Sequence, residues 1–182
     1  LANTPQLSDV STTLRLLMEM GSNFVLEEDG SIFIDSSTLT NLTADYSLVK
    51  TMRASILTLG PMLAKYKKAK ISLPGGCAIG TRPVNLHLDA LEKMGAKIEV
   101  KNGYIHASAK ELVGTQINFD LVSVTATENI IMAATLAKGI TTINNAAQEP
   151  EVTDLIYCLK NMGAKITGEN TSTLIIEGVD QL

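Results

Sequence analysis

One eight-position pattern recurs three times along the 182-residue chain and limits what it can fold into. Val10, Leu14, Leu17, Met20, Gly21, Ser22, Asn23 and Phe24 align with Val84, Leu88, Leu91, Met94, Gly95, Ala96, Lys97 and Ile98. Both sets align with Val152, Ile156, Leu159, Met162, Gly163, Ala164, Lys165 and Ile166. The apolar spacing describes one face of a helix. The glycine that follows stands where a left-handed helix cap is wanted. So many matches in three copies argue for a repeated structural unit and against chance amphipathicity.

After each glycine the pattern changes to strand, polar turn and strand. The first copy places strands at 23–26 and 32–34 around Glu27–Ser31. The second turns at Asn102-Gly103, a strong hairpin dipeptide, before Tyr104–Ala107. The third turns through Glu169-Asn170-Thr171 before Leu174–Ile176. Copies two and three carry a further helix and strand ahead of this. Val49, Met52, Ile56, Leu59 and Leu63 form a helical stripe interrupted at Gly60-Pro61, followed by strand 69–73. The matching helix of copy three is expected over 125–138, capped at Gly139, with strand 140–144 behind it and an extra strand, Ile117–Phe119, in front. The reading is one α/β (α+β) domain over 1–182, with repeat one at about 1–40, repeat two at about 41–112 and repeat three at about 113–182. Copy one lacks its front half and the chain opens on Leu1. Roughly 20 to 25 residues of helix and strand are therefore expected upstream, by analogy with the other copies.

Composition narrows the function classes. Hydrophobic residues at 45% and charged residues at 19% suit a soluble globular domain, and without tryptophan the core must be aliphatic. A net charge of −4 argues against a nucleic-acid binder. The basic run Lys65, Lys67, Lys68 and Lys70 reads as a solvated helix end. The apolar run Ile130–Ala137 is far short of the ~20 residues that span a bilayer, and no signal segment opens the chain. Two cysteines make no disulfide framework, no Cys/His spacing suggests zinc, and no cofactor is implied. A reducing cytoplasm is the expected compartment. Cys158, inside Leu155-Ile156-Tyr157-Cys158-Leu159, reads as core.

The other cysteine lies in unusual company. Leu73 to His87 reads Leu-Pro-Gly-Gly-Cys-Ala-Ile-Gly-Thr-Arg-Pro-Val-Asn-Leu-His, and so many glycines and prolines end any regular element. Cys77 therefore sits on a loop, with Arg82 near enough to favour the reactive thiolate. Gly75 and Gly80 have the separation of a phosphate-binding P-loop, but Thr81 stands where that motif needs lysine, and the reading fails.

That loop, with 48–55 and Ala147-Gln148-Glu149-Pro150-Glu151, closely resembles the bacterial UDP-N-acetylglucosamine 1-carboxyvinyltransferases. The resemblance covers essentially the whole chain. It implies one of two similar domains, each of three pseudo-threefold βαβαββ repeats with helices inside a shell of sheets. On that resemblance the first repeat is expected to be truncated here and the second domain to be absent. It also implies transfer of the enolpyruvyl group of phosphoenolpyruvate to the 3-hydroxyl of UDP-N-acetylglucosamine, with release of phosphate, for peptidoglycan synthesis. Cys77 matches the family's acid and covalent-adduct residue, which the epoxide fosfomycin alkylates. Arg82 and Arg53 match arginines that contact the anionic substrates, a task suited to guanidinium forks. Pro83, Val84, Asn85 and Leu86 match the segment that grips uridine, and Val122, Ser123 and Val124 match a second uridine turn. Leu121 stands where some relatives carry lysine. For His87, contact with the nucleotide and a satisfied surface histidine are both open. His106 reads as structural or solvated. Glu149 and Glu151 resemble residues near the site, yet Pro150 also makes them good helix-entry residues.

The implied partners are the two substrates and the second domain, with no nucleic acid and no membrane. Two other classes compete: a non-catalytic interaction module that kept the fold, and a thiol hydrolase pairing Cys77 with His87. Nothing in the sequence supplies the orienting third group that the hydrolase needs, and intact Cys77, Arg53 and Arg82 argue against the interaction module.

Overall fold

The computed structural model describes residues 1–49, 52–73 and 84–182, without the side chain of Arg53. Helix α1 (Ser8–Glu19) leads into a hairpin of β1 (Asn23–Leu26) and β2 (Ile32–Asp35), paired from Asn23 with Asp35 to Leu26 with Ile32. A sheet follows from β3 (Thr43–Ala44), β4 (Lys68–Ser72), β5 (Lys97–Lys101) and β6 (Tyr104–Ser108), in the order β3-β4-β6-β5. Its counterpart uses β7 (Gln116–Asn118), β8 (Ile140–Asn144), β9 (Lys165–Thr167) and β10 (Thr173–Glu177), in the order β7-β8-β10-β9. In both sheets the first two strands are parallel and the other pairings antiparallel. The two units thus share one topology.

The crossovers carry the helices. Between β3 and β4 run α2 (Tyr46–Val49), a 3-10 helix (Arg53–Thr58) and α3 (Leu59–Tyr66). Helix α4 (Asn85–Lys93) precedes β5, α5 (Val124–Ala134) joins β7 to β8, and α6 (Pro150–Asn161) joins β8 to β9. Helix α5 is the innermost, packed against α3, α4, α6 and the 3-10 helix, and Ala126, Ile130, Ile131, Ala133 and Ala134 on it are inaccessible to solvent. The strands alternate: Ile105 and Ala107 of β6 face these helices while His106 and Ser108 face water. Helices inside and sheets outside is what the resemblance implied.

The repeat is exact down to its caps. Gly21, Gly95 and Gly163 have φ of 103°, 97° and 104°. Each glycine N–H donates to the carbonyl three residues back, and the next residue's N–H donates five back, at 2.9 to 3.0 Å. This double bond is the Schellman motif, and its left-handed residue is cheap only for glycine. Asn102 and Gly103, at φ 52° and 76°, make the tight turn between β5 and β6.

Four expectations need correction. The stripe from Val49 to Leu63 is not one helix broken at Gly60-Pro61. The chain changes from 3-10 to α between Thr58 and Leu59, and Pro61 sits in the first turn of α3, where a missing N–H loses no helical bond. Helix α5 stops at Ala134, not Lys138, because the Lys138 N–H donates to the Leu112 carbonyl and the Lys138 carbonyl accepts from the Gly114 N–H. Cys158 is exposed. It lies two residues from Ile156 and one from Leu159, so the helical period turns it off the buried face. On α1 the residues fully enclosed are Leu16 and Met20, whereas Val10, Leu14 and Leu17 are half-buried. That helix has β1 and α2 as its neighbours and lacks the surround of α5. On α6, Val152, Ile156 and Leu159 are buried, and on α4 Leu91 is buried with Val84 and Leu88 half-buried. None of the three stripes faces solvent.

Candidate functional site

Cys77, Arg82 and Pro83 lie outside the described residues, as does the side chain of Arg53, whose backbone opens the 3-10 helix. What the structure places is the frame around them. Val84 is the N-cap of α4, and its carbonyl accepts from the N–H groups of His87 (3.0 Å) and Leu88 (3.2 Å). Asn85 and Leu86 form the first turn, Asn85 exposed and Leu86 half-buried against the core. Ser123 caps α5 in extended conformation, its hydroxyl accepting from the Ala126 N–H at 3.3 Å, and Val124 starts the helix. Leu121 and Val122 just ahead are 63% and 56% exposed. Helices α4 and α5 pack together, and near their starts the Thr125 hydroxyl lies 3.4 Å from His87 Nε2. The fold thus sets the two predicted uridine segments, 84–86 and 122–124, on neighbouring helix starts.

The structure corrects the surface reading of His87, and its contact with a nucleotide stays a proposal. It is 4% exposed, not a surface residue, and Asn129 Nδ2 lies 2.9 Å from its Nδ1. Burial pulls its pKa down to about 4, so the ring is neutral at physiological pH. Both ring nitrogens are occupied, and neither is left to activate a thiol as the hydrolase reading requires.

The third resembling segment also converges on α5. The Ala147 N–H donates to the buried Thr127 hydroxyl at 3.0 Å, and Asn145, at φ 58°, donates from its amide to the Phe119 carbonyl at 2.9 Å. Glu149 is the exposed N-cap of α6 without a side-chain capping bond, and Glu151 sits in its first turn. Both stand at the entry of α6. Burial first, and then the charge of Glu151, raises the carboxyl pKa of the half-buried Glu128 on α5. Glu128, Thr125 and Asn129 were not singled out from the sequence. A polar Glu-Asn pair inside an otherwise apolar helical run was the signal available for two of them.

The lysine run is partly solvated. Lys65 and Lys68 are exposed, Lys67 ends α3 at φ 63°, and the Lys70 ammonium lies 4.4 Å from the Tyr104 ring centre. A groove of about 640 Å3 on the outer face of the β3-β4-β6-β5 sheet includes Lys68, Lys70, Lys97 and the exposed His106. It holds none of the predicted site residues, and the helix starts remain the better candidate. Among the described residues no His, Cys, Asp and Glu group could hold a metal ion, and no helix is long and apolar enough to cross a membrane.

The family model for EPSP synthase (3-phosphoshikimate 1-carboxyvinyltransferase) matches residues 1–182. The chain belongs to the EPSP synthase family. Among curated relatives, a protein of Ruthia magnifica subsp. Calyptogena magnifica named UDP-N-acetylglucosamine 1-carboxyvinyltransferase is 76% identical over the whole chain, which spans 43% of that relative. One of the same name from Hydrogenovibrio crunogenus is 58% identical, with 44% of its length spanned. The chain thus spans less than half the length of these relatives. Among solved structures, the enolpyruvyl transferase NikO from Streptomyces tendae aligns with 98% of the chain and 42% of its own, at a TM-score of 0.82 and 19% identity. An EPSP synthase from Acinetobacter baumannii gives 0.73 at 20% identity over 100% of this chain and 41% of its own. At such identities these two likenesses establish the EPSP synthase fold alone.

Proposed function

We propose that this chain is most of the cysteine-loop domain of a UDP-N-acetylglucosamine 1-carboxyvinyltransferase, with the three repeats bounded near residues 40 and 112. The observation that carries the reading is the 76% identity, over all 182 residues, to a relative of that name. The adjacency of segments 84–86 and 122–124 supports it, since one nucleotide can reach both only if they are neighbours.

In the proposed reaction the 3-hydroxyl oxygen of the sugar attacks C2 of phosphoenolpyruvate and loses its proton. Cys77 protonates the C3 methylene, which gives a tetrahedral adduct. Loss of a C3 proton and departure of phosphate from C2 then restore the double bond in the enolpyruvyl ether. Arg53 and Arg82 neutralise the carboxylate and phosphates, for which bidentate guanidinium contacts are well matched. Pro83 to Leu86 and Val122 to Val124 hold the uridine, with Leu121 and the backbone near Glu149 at the margin. The reaction closes in a cleft against a second domain of the longer protein, which is cytoplasmic and supplies cell-wall synthesis. Positioning and a closed, dry site do most of the work in such chemistry.

The test is phosphate release by the full-length protein from phosphoenolpyruvate. Release with UDP-N-acetylglucosamine and not with 3-phosphoshikimate is expected. Release only with 3-phosphoshikimate would overturn the reading in favour of the acceptor in the family model's description, and release with neither would favour an interaction module.

A further inference from the structure

Asn129 sits at the centre of helix α5, with no solvent exposure, among alanines and isoleucines. An amide there must meet its hydrogen bonds with protein partners. Its Oδ1 accepts from the Gly60 backbone N–H at 2.7 Å. Its Nδ2 donates to the Ile56 carbonyl at 3.3 Å and approaches His87 Nδ1 at 2.9 Å. These partners fix the orientation of the amide, because a peptide N–H can only donate and a carbonyl can only accept. Nδ2 therefore points at His87, Nδ1 of His87 is the acceptor, and Nε2 carries the proton and donates toward Thr125.

The three partners come from three segments. Ile56 belongs to the 3-10 helix that Arg53 opens, Gly60 to the first turn of α3, and His87 to the first turn of α4 just after Val84–Leu86. The N–H of Gly60 has no partner within its own helix at that position, so Asn129 supplies one. The approach is close: a Cβ on Gly60 would lie 2.4 Å from both the backbone oxygen and Oδ1 of Asn129. Only glycine lets α3 come this near. One side chain thus ties together the helix behind Arg53 and the helix start behind the predicted uridine segment, and both to α5 with Ser123 and Val124 at its start.

We propose that Asn129 is a positioning residue, which through its bonds to Ile56, Gly60 and His87 holds the Arg53 segment and the Val84–Leu86 segment in register with the start of α5. That these segments bind a nucleotide sugar rests on the proposed function; that they are held together by Asn129 does not. A purely structural polar group would give up stability and nothing else on replacement.

The experiment uses the full-length protein with two substitutions. Asn129→Leu keeps the branched shape of the side chain and removes every side-chain hydrogen bond; Asn129→Asp keeps the acceptor for Gly60 and removes both donors. Amide hydrogen exchange is expected to speed up about tenfold in 53–60 and 84–90 together, with β8 and β10 unchanged. KM for UDP-N-acetylglucosamine is expected to rise about tenfold with kcat nearly preserved. If either variant fails to fold, Thr125→Val takes its place, removing the outer end of the chain of bonds, with faster exchange confined to 84–90. Exchange that rises evenly over the whole domain, or stays at the wild-type rate in both segments, would overturn the proposal. A wild type that releases no phosphate would overturn the transferase reading, while exchange would still decide the role of Asn129.

Discussion

His87 is neutral because it is buried, and this has a consequence in acid. Its pKa in the fold is about 4 against an ordinary 6.5. Between those values the unfolded chain binds a proton that the folded chain refuses, so stability is full above about pH 6.5 and falls as pH drops toward 4. The shift corresponds to roughly 3 kcal/mol. His87→Gln keeps an acceptor for Asn129 and removes the titration. Urea midpoints measured from pH 7 to 4.5 should fall less steeply in this variant, and parallel slopes would acquit the imidazole. Glu128 works in the opposite sense. Burial and Glu151 raise its pKa, so its ionised form is disfavoured in the fold and the penalty is relieved as pH falls. Glu128→Gln should raise the melting temperature at pH 7.5, with the gain lost as pH falls through the carboxylate range. For the cysteines, exposure of Cys158 removes accessibility as a reason for selectivity. An epoxide should still label Cys77 first if Arg82 favours its thiolate, and mass spectrometry of partly labelled protein would reveal equal rates if it does not. In the full-length protein, Cys77→Asp should keep phosphate release and escape the epoxide.

At the scale of elements, the Schellman caps are the most repeated device and the easiest to test. Gly163 is at φ 104° with nothing within 4 Å of a would-be Cβ, so Gly163→Ala suffers backbone strain alone, about 1 kcal/mol. Gly21 is at φ 103°, but there a Cβ would stand 2.8 Å from the Thr38 carbonyl oxygen. Gly21→Ala adds a backbone collision to the same strain and should lower the melting temperature clearly more. Equal losses at the two sites would mean that the loop at Thr38 yields freely. The parallel first pair and antiparallel remainder of each four-stranded sheet follow from a helical crossover after the first strand and a tight turn before the last.

For the whole molecule, the prediction concerns what one domain can do. The proposed chemistry needs two reactants held against a closed wall, and positioning of that kind is worth ~7–11 kcal/mol. The 182-residue chain alone should release no phosphate from phosphoenolpyruvate and UDP-N-acetylglucosamine, while the full-length protein does. Weak nucleotide-sugar binding through 84–86 and 122–124 is compatible with this, and isothermal titration would measure it. Turnover by the isolated chain near the full-length rate would mean that the site is complete without a second domain.

Much of this architecture could be read without coordinates because it is local and repeated. Apolar spacing set the inward faces of α4 and α6, glycine at positive φ ended three helices, and Asn102-Gly103 turned a hairpin; each depends on a few neighbouring residues. The loop around Cys77 stands out in the sequence for a similar reason, since its glycines, prolines, cysteine and arginine are clustered, and its chemistry stays a proposal. Local reading failed where the period of an element had to be combined with its surroundings. Cys158 lies in an apolar run yet turns outward, and α1 buries Leu16 beside the expected Leu14 and Leu17 because of what it packs against. The network around Asn129 could not be read at all. Its partners lie 69, 73 and 42 residues away, and no pattern within one element encodes a bond to another. The sequence alone determined the repeated unit and its caps, because backbone propensity and helical period act over a few residues. Only the tertiary structure decided that two helix starts meet at the same place and that a buried amide holds them there. Burial and hydrogen-bond geometry come into existence when distant segments pack.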